Sequence, residues 1–204
     1  MRMPASLLAE MDGYEFVCGS DEVGYGSWAG PLIVCATVVA KGWSEPGVTD
    51  SKKLSPSARE RLYPKLQALR HCIFGVPPAQ IDAMGVAAAL DYAHTKAIEG
   101  ALLRHAIAGY TGAPFVVIDG VRSVLGARAL PKADALVPAV SAASILAKVY
   151  RDRLMRELAK KYPGYGWETN AGYGTPGHQA GLAARGLSPE HRRSYSPMRE
   201  MRDG

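Results

Sequence analysis

Asp21 and Glu22 stand side by side at the end of an apolar run, residues 14–19, and Gly24, Gly26 and Gly30 follow before a second apolar run begins at Leu32. Adjacent acids at the end of a buried strand are costly unless something positive compensates their desolvation. Another apolar run, residues 114–118, ends in Asp119 and Gly120, and Asp134 lies just upstream of a long helical stretch. If the strands carrying Asp21 and Asp119 are parallel neighbours, their carboxyl ends bring these acids to one sheet edge, where open α/β sheets place ligands. Asp134 can reach the same edge. Converging carboxylates repel, and without a cation one or more must take up a proton. Mg²⁺ suits them: it takes carboxylate oxygens, keeps several waters and bridges to phosphates. Two such ions about 4 Å apart clamp the attacking and leaving oxygens of an in-line phosphoryl displacement. An isolated aspartate is ordinarily a turn or cap residue. The Asp21–Glu22 pair before glycines reads as functional, as does Asp119; Asp134 is singled out by position alone.

The neighbouring segments offer groups for a phosphodiester chain. Gly24-Tyr25-Gly26 leaves backbone N–H groups uncovered, so a sugar or phosphate can approach closely. It lacks the third glycine of a dinucleotide site, and no Walker lysine follows. Lys52 and Lys53 precede a capped helix and, taken alone, read as a solvated charge pair. Ser144, Lys148 and Arg151 fall at i, i+4 and i+7, a phosphate-facing stripe, with Ile145, Val149 and Leu158 turned inward. Asp152, four residues after Lys148, reads as its ion-pair partner. Tyr162, Tyr165, Trp167 and Tyr173 form an aromatic set able to stack on bases or sugars.

These residues need elements to hold them. Residues 14–20 and 32–40 read as strands rich in Val, Ile and aromatic residues. Residues 55–69 read as a helix capped by Ser55 with Pro56 at its first position, broken or kinked at Pro64. Residues 72–76 form a third strand, residues 80–107 two helices separated at Gly85, and residues 114–120 a strand buried on both faces. A loop with Pro131 and Pro138 leads to a helix over 141–162, and another helix spans 176–185. The pattern is α/β: a mixed sheet with helices on both faces. The chain of 204 residues suits a single domain, with residues 170–204 as a helical, basic extension.

The hydrophobic fraction of 48% and charged fraction of 21% are those of an ordinary globular protein. A net charge of +5 suits a polyanionic partner. Cys18, Cys35 and Cys72 form no Cys-x-x-Cys pair and read as small buried hydrophobes in a reducing compartment, not disulfides or zinc ligands. The N-terminal segment has no long apolar region for a signal peptide, and no stretch reaches membrane-spanning length. A soluble, cytoplasmic, monomeric protein is expected.

In order along the chain, these motifs resemble ribonuclease HII, the type 2 ribonuclease H family. The family's "DEVGRGPLAGP" is matched by "DEVGYGSWAGP", and its "DSKKLS" is intact at 50–55. Its strand ending in Asp-Gly is matched by "VIDG", "AASIxAKVxRD" by "AASILAKVYRD", "GYGTxxH" by "GYGTPGH" and "HRRSF" by "HRRSY". The resemblance runs over residues 14–197. It implies a ribonuclease H-like fold with a five-stranded mixed sheet. It also implies Mg²⁺- or Mn²⁺-dependent cleavage of RNA paired to DNA, single embedded ribonucleotides included, leaving a 3′-hydroxyl and a 5′-phosphate. The family acids map onto Asp21, Glu22, Asp119 and Asp134. The resemblance assigns main-chain reading of the 2′-hydroxyl to Gly24, Tyr25 and Gly26, stacking at the RNA–DNA junction to Tyr173, and phosphate contacts to Lys52, Ser144 and Lys148. A sliding-clamp contact has no support in the sequence.

Tyr25 departs from the pattern by replacing an arginine. It keeps the backbone amides but supplies no guanidinium fork; one charge-assisted contact is worth roughly 1.5–3 kcal/mol. Weaker or altered discrimination of the lone-ribonucleotide junction is therefore expected, with the metal chemistry intact. Ribonuclease HIII, which also lacks that arginine and favours long hybrids, is one rival reading. A DNA strand-transfer or junction-resolving nuclease, a binding-only module and a nucleotide-binding glycine-loop protein, the last without Rossmann or P-loop context, are the others.

Overall fold

The computed structural model describes residues 3–202. Its sheet has five strands in the order β3-β2-β1-β4-β5. β1 (Phe16–Val23) and β2 (Leu32–Ala40) pair antiparallel, from Phe16 opposite Ala40 to Val23 opposite Ile33. β3 (Arg70–Val76) runs antiparallel to β2, while β4 (Phe115–Asp119) is parallel to β1 and β5 (Arg128–Leu130) is parallel to β4. The mixed sheet expected from the sequence is present.

β2 is buried from Leu32 to Val39, which is why it reads as an unbroken apolar run. Its side chains alternate between two cores. Leu32, Val34 and Ala36 pack against Ala93, Ala97 and Ile98 of helix α4 (Val86–Ile107). Ile33 and Cys35 face Leu62 and Leu66 of α2 (Pro56–Gln67) and Ile145, Leu146 and Val149 of α5 (Pro138–Lys161). Helices thus cover both faces. α5 lies unusually close to β1: a Cβ on Gly19 would sit 2.3 Å from the Val140 nitrogen. That contact fixes the height of α5, and hence of Ser144 and Lys148, over the strand that carries Asp21. Burial pushes the Cys18 thiol up to about 12, so it behaves as a small hydrophobe, and all three cysteines are free.

α2 runs unbroken through Pro64, contrary to the expected break. Leu62, Tyr63 and Leu66 are buried while Pro64 faces solvent, so packing holds the helix and the freed carbonyl of Glu60 needs no helical donor. Gly85 does separate α4 from α3 (Pro78–Met84), with φ +80°. α5 begins at Pro138, its N1 residue, three residues before the expected start. β5 and α1 (Ala5–Glu10) have only three and six residues, too short to show a period in sequence.

Beyond α5 come α6 (Trp167–Asn170), α7 (Pro176–Arg185) and α8 (Met198–Arg202). They fold back onto the β1–β2 connection through a separate apolar cluster of Ala29, Met155, Tyr165, Trp167, Leu182 and Met198. No helix among the described residues is long and apolar enough to cross a membrane.

Candidate active site

The parallel register sets Ser20 beside Ile118, so the next residues, Asp21 and Asp119, emerge together just past the β1–β4 ladder; Asp119 ends β4, while β1 runs on past the expected end at Ser20 to Val23, paired with β2. Asp134 sits on a short 3₁₀ turn, Ala133–Ala135. Two bonds draw that turn in: Ala133 N–H donates to Asp119 Oδ1 at 2.6 Å, and Ser141 Oγ of α5 donates to the Asp134 carbonyl at 2.6 Å. Asp21, Asp119 and Asp134 each then offer a carboxylate oxygen within 4.8 Å of the others. Asp21 and Asp134 are buried and Asp119 partly so.

The electrostatics of this cluster are those of a site short of positive charge. Burial, then the charges of Glu22 and Asp119, hold the Asp21 carboxyl well above its ordinary value of 3.8, against a hydrogen bond from Ser144. Burial and Asp134 raise Asp119 as well, opposed by the Ala133 N–H. Lys52 Nζ lies 3.4 Å from Asp134 Oδ2, on a largely exposed side chain. Burial works against the charge of Lys52, but Asp134 and Asp21 outweigh it and raise the ammonium pKa. Three converging oxygen donors, two of them buried, fit a hard divalent cation.

Glu22 lies outside this trio. Its carboxylate turns toward His94 of α4, with Oε2 3.7 Å from Nε2. Ser20 Oγ donates to the Cys35 carbonyl at 3.2 Å and so accepts from His94 Nδ1 at 2.8 Å. Sequence reasoning missed His94 because it comes from a distant helix.

The acids open into a cleft of about 290 Å³, and Gly24, Tyr25, Gly26, Lys52, Ser144, Lys148 and Tyr173 also line it. Arg151 and three of the four aromatic residues are not on this wall, whereas the residues to which the family resemblance assigned substrate contacts share it. Ser51 joins them, bonded to Ser144 Oγ at 2.8 Å; its signal was its place in "DSKKLS". Lys148 is paired with Asp152 at 2.7 Å, as the spacing of four implies. Arg59 Nη1 donates to the Ser51 and Leu54 carbonyls at 2.8 and 2.6 Å and so anchors the Lys52 loop.

Arg151 corrects the expected phosphate stripe. It is fully buried (0% exposed) and faces no solvent. Its guanidinium donates to the carbonyls of Pro31, Ala171 and Ala29 at 3.0, 2.8 and 3.1 Å and to Ser27 Oγ at 2.7 Å. One side chain thereby ties the glycine loop to the segment that presents Tyr173, and it lies 5.7 Å from the Tyr173 ring centre. Trp28 N–H and Ala29 N–H reinforce the joint by donating to the Gly172 carbonyl at 2.8 and 3.2 Å. The aromatic set also divides. Tyr165 and Trp167 are buried and stacked on each other, and Tyr162 packs edge-on against Trp167. Of the four, Tyr173 alone is exposed and on the cleft.

Two histidines brace the Tyr173 segment from below. His178 Nδ1 donates to the Tyr173 carbonyl at 3.0 Å, and His178 Nε2 receives Trp167 Nε1–H at 3.0 Å with His191 Nε2 3.1 Å away. Burial lowers both imidazoles; His191 falls to about 4, burial first and the neighbouring His178 second. The unfolded chain, with its histidines near 6.5, binds those protons more readily. The stabilisation is thus present above pH 6.5 and lost as pH falls toward 4. An NMR titration is expected to find His191 neutral at pH 5, with the melting temperature falling across that window. A His191 that titrates near 6.5 contradicts this buried, neutral pair.

The ribonuclease HII family model matches residues 18–197. A ribonuclease HII of Shouchella clausii is 42% identical over 197 residues, covering 94% of this chain and 73% of that one. Among solved structures, the ribonuclease H2 of Pyrococcus horikoshii OT3 superposes with TM-score 0.73 at 28% identity, covering 92% of this chain and 97% of that one. A Bst ribonuclease HIII in complex with Mn²⁺ shares the fold, with TM-score 0.77 at 23% identity over 98% of this chain and 73% of that one.

Proposed function

This chain belongs to the ribonuclease HII family, and on that premise we propose that the three-aspartate cluster and its cleft are the active site of a divalent-metal-dependent endoribonuclease. Its substrates are the RNA strand of RNA–DNA hybrids and ribonucleotides embedded in duplex DNA, cut on the 5′ side to leave a 3′-hydroxyl and a 5′-phosphate. The observation that carries the reading is the convergence of Asp21, Asp119 and Asp134 within 4.8 Å beside a cleft lined by lysines and bare backbone.

Asp21, Asp119 and Asp134 hold the metal, with Glu22 at the edge of the group. Bound there, Mg²⁺ or Mn²⁺, as a pair of ions, would supply positive charge against that developing on the phosphate oxygens and would lower the pKa of the attacking water. Lys52, Lys148 and Ser144 receive the phosphate chain. The glycine loop approaches the ribose closely enough for main-chain groups to meet the 2′-hydroxyl, the one group that tells RNA from DNA. Tyr173 offers its exposed ring for stacking at the RNA–DNA junction. Water is the nucleophile, so no side chain needs to form a covalent intermediate.

Three end-labelled duplexes test this in Mg²⁺ and in Mn²⁺: one ribonucleotide in DNA, a continuous hybrid, and DNA alone. Metal-dependent cuts in the first two and an intact third are expected. No product from either ribonucleotide-containing duplex overturns the reading. Cutting of the all-DNA duplex transfers the chain to the strand-transfer class.

A further inference from the structure

Among the residues that depart from the family patterns quoted above are Tyr25, in place of arginine, and Tyr195, in place of phenylalanine. They meet in the structure. The Tyr195 phenol donates to the Tyr25 main-chain carbonyl at 2.8 Å, reaching across 170 positions of sequence. Relative to phenylalanine, Tyr195 adds only a hydroxyl, and that hydroxyl makes this bond.

We propose that the Tyr195 hydroxyl is a positioning group that aims the Gly26 amide into the cleft and so supports recognition of a lone ribonucleotide where the family's arginine is missing. This rests on the ribonucleolytic reading above. The Tyr25 carbonyl has two lone pairs, and both are taken: Arg192 Nη1 donates to it at 2.8 Å and the Tyr195 hydroxyl at 2.8 Å. The same hydroxyl accepts from Arg192 Nη1 at 3.1 Å, closing a three-membered ring of bonds. Arg192 is fully buried, and its remaining nitrogens donate to the Gly30 carbonyl at 3.1 and 3.0 Å, so it cannot swing to follow a moving loop.

A trans peptide is planar, with its C=O and N–H pointing in opposite directions. Holding the Tyr25 oxygen toward Arg192 and Tyr195 therefore turns the Gly26 N–H the other way. Among the described residues that N–H has no acceptor. Gly26 lines the cleft, and nothing lies within 4 Å of where its Cβ would be. The result is a fixed, unspent donor on a glycine that lines the cleft, the form needed to meet a sugar oxygen. Burial keeps the Tyr195 phenol above its ordinary value of 10.0, against the pull of Arg192, so it stays protonated and donates at neutral pH.

Tyr195→Phe tests this with the smallest change available. kcat and KM are measured on the lone-ribonucleotide duplex and on the continuous hybrid, with the melting temperature recorded alongside. Loss of one hydrogen bond to a reading element should lower kcat/KM on the lone ribonucleotide roughly five- to tenfold, and on the hybrid, which offers many contacts, less than twofold. In a Tyr25→Arg background the hydroxyl should matter less, because a guanidinium contact to substrate then supplies independent anchoring. An equal loss on both duplexes marks Tyr195 as merely structural and overturns the proposal. So does an unchanged ratio, or a parent enzyme that ignores the lone ribonucleotide. If the parent cuts neither duplex, it is the ribonucleolytic reading that fails.

Discussion

Asp21→Asn is expected to lower hybrid cleavage by about three orders of magnitude while raising the melting temperature of the metal-free protein. Both follow from one carboxylate. Asp21 is 3% exposed, and burial, Glu22 and Asp119 all disfavour its charge. Its pKa is raised in the folded state, so this group stabilises most when protonated, and that stability is lost as pH rises above 3.8 toward the folded value. At neutral pH the ionised form is a strain that a divalent cation relieves. Asparagine keeps the shape, relieves the strain without metal and weakens the cation site. A metal-held transition state is worth several kcal/mol, and about 4 kcal/mol is a thousandfold in rate. Single-turnover cleavage and thermal melts in chelator and in Mg²⁺ check both arms. Metal should raise the melting temperature of the parent protein but not of the variant. Cleavage within tenfold of the parent would remove Asp21 from the metal site.

Arg151→Met is expected to lower stability more than any single change on the cleft wall. The substitution keeps the buried length of chain but deserts four acceptors, on Ser27, Ala29, Pro31 and Ala171. Unsatisfied buried groups cost about 1–3 kcal/mol each, and relaxation recovers part of that. A net loss of about 3 kcal/mol, or roughly 6–12 °C in melting temperature for a domain of this size, is the expectation. Arg151→Lys should rescue little, since one ammonium cannot span acceptors from two segments. Because the same guanidinium joins the glycine loop to the Tyr173 segment, the surviving folded protein should show a raised KM as well. A variant that melts within 2 °C of the parent would show that the joint does not depend on Arg151.

Sequence alone determined whatever depends on local pattern. β2 announced itself because a strand buried on both faces must be apolar at every position. Ser55 with Pro56 marked the start of α2, and its hydroxyl does accept from Ala58 N–H at 3.2 Å. The spacing of four between Lys148 and Asp152 sufficed for their ion pair. Asp21 and Asp119 were legible because an acid ending an apolar run is costly wherever the strand lies.

The tertiary structure decided what covers each face. Helical spacing put Arg151 on one line with Ser144 and Lys148, but residues 27–31 and 171 arrive from far along the chain and bury it. The same return of the chain hides Tyr165 and Trp167 and leaves Tyr173 exposed. Asp134 joined the cluster because its 3₁₀ turn is drawn in by Asp119, 14 positions from Ala133, and by Ser141; Glu22 turned toward His94, which a helix on the opposite face brings from far along the chain. Periodicity states which side of an element a residue occupies; only packing states what lies on that side.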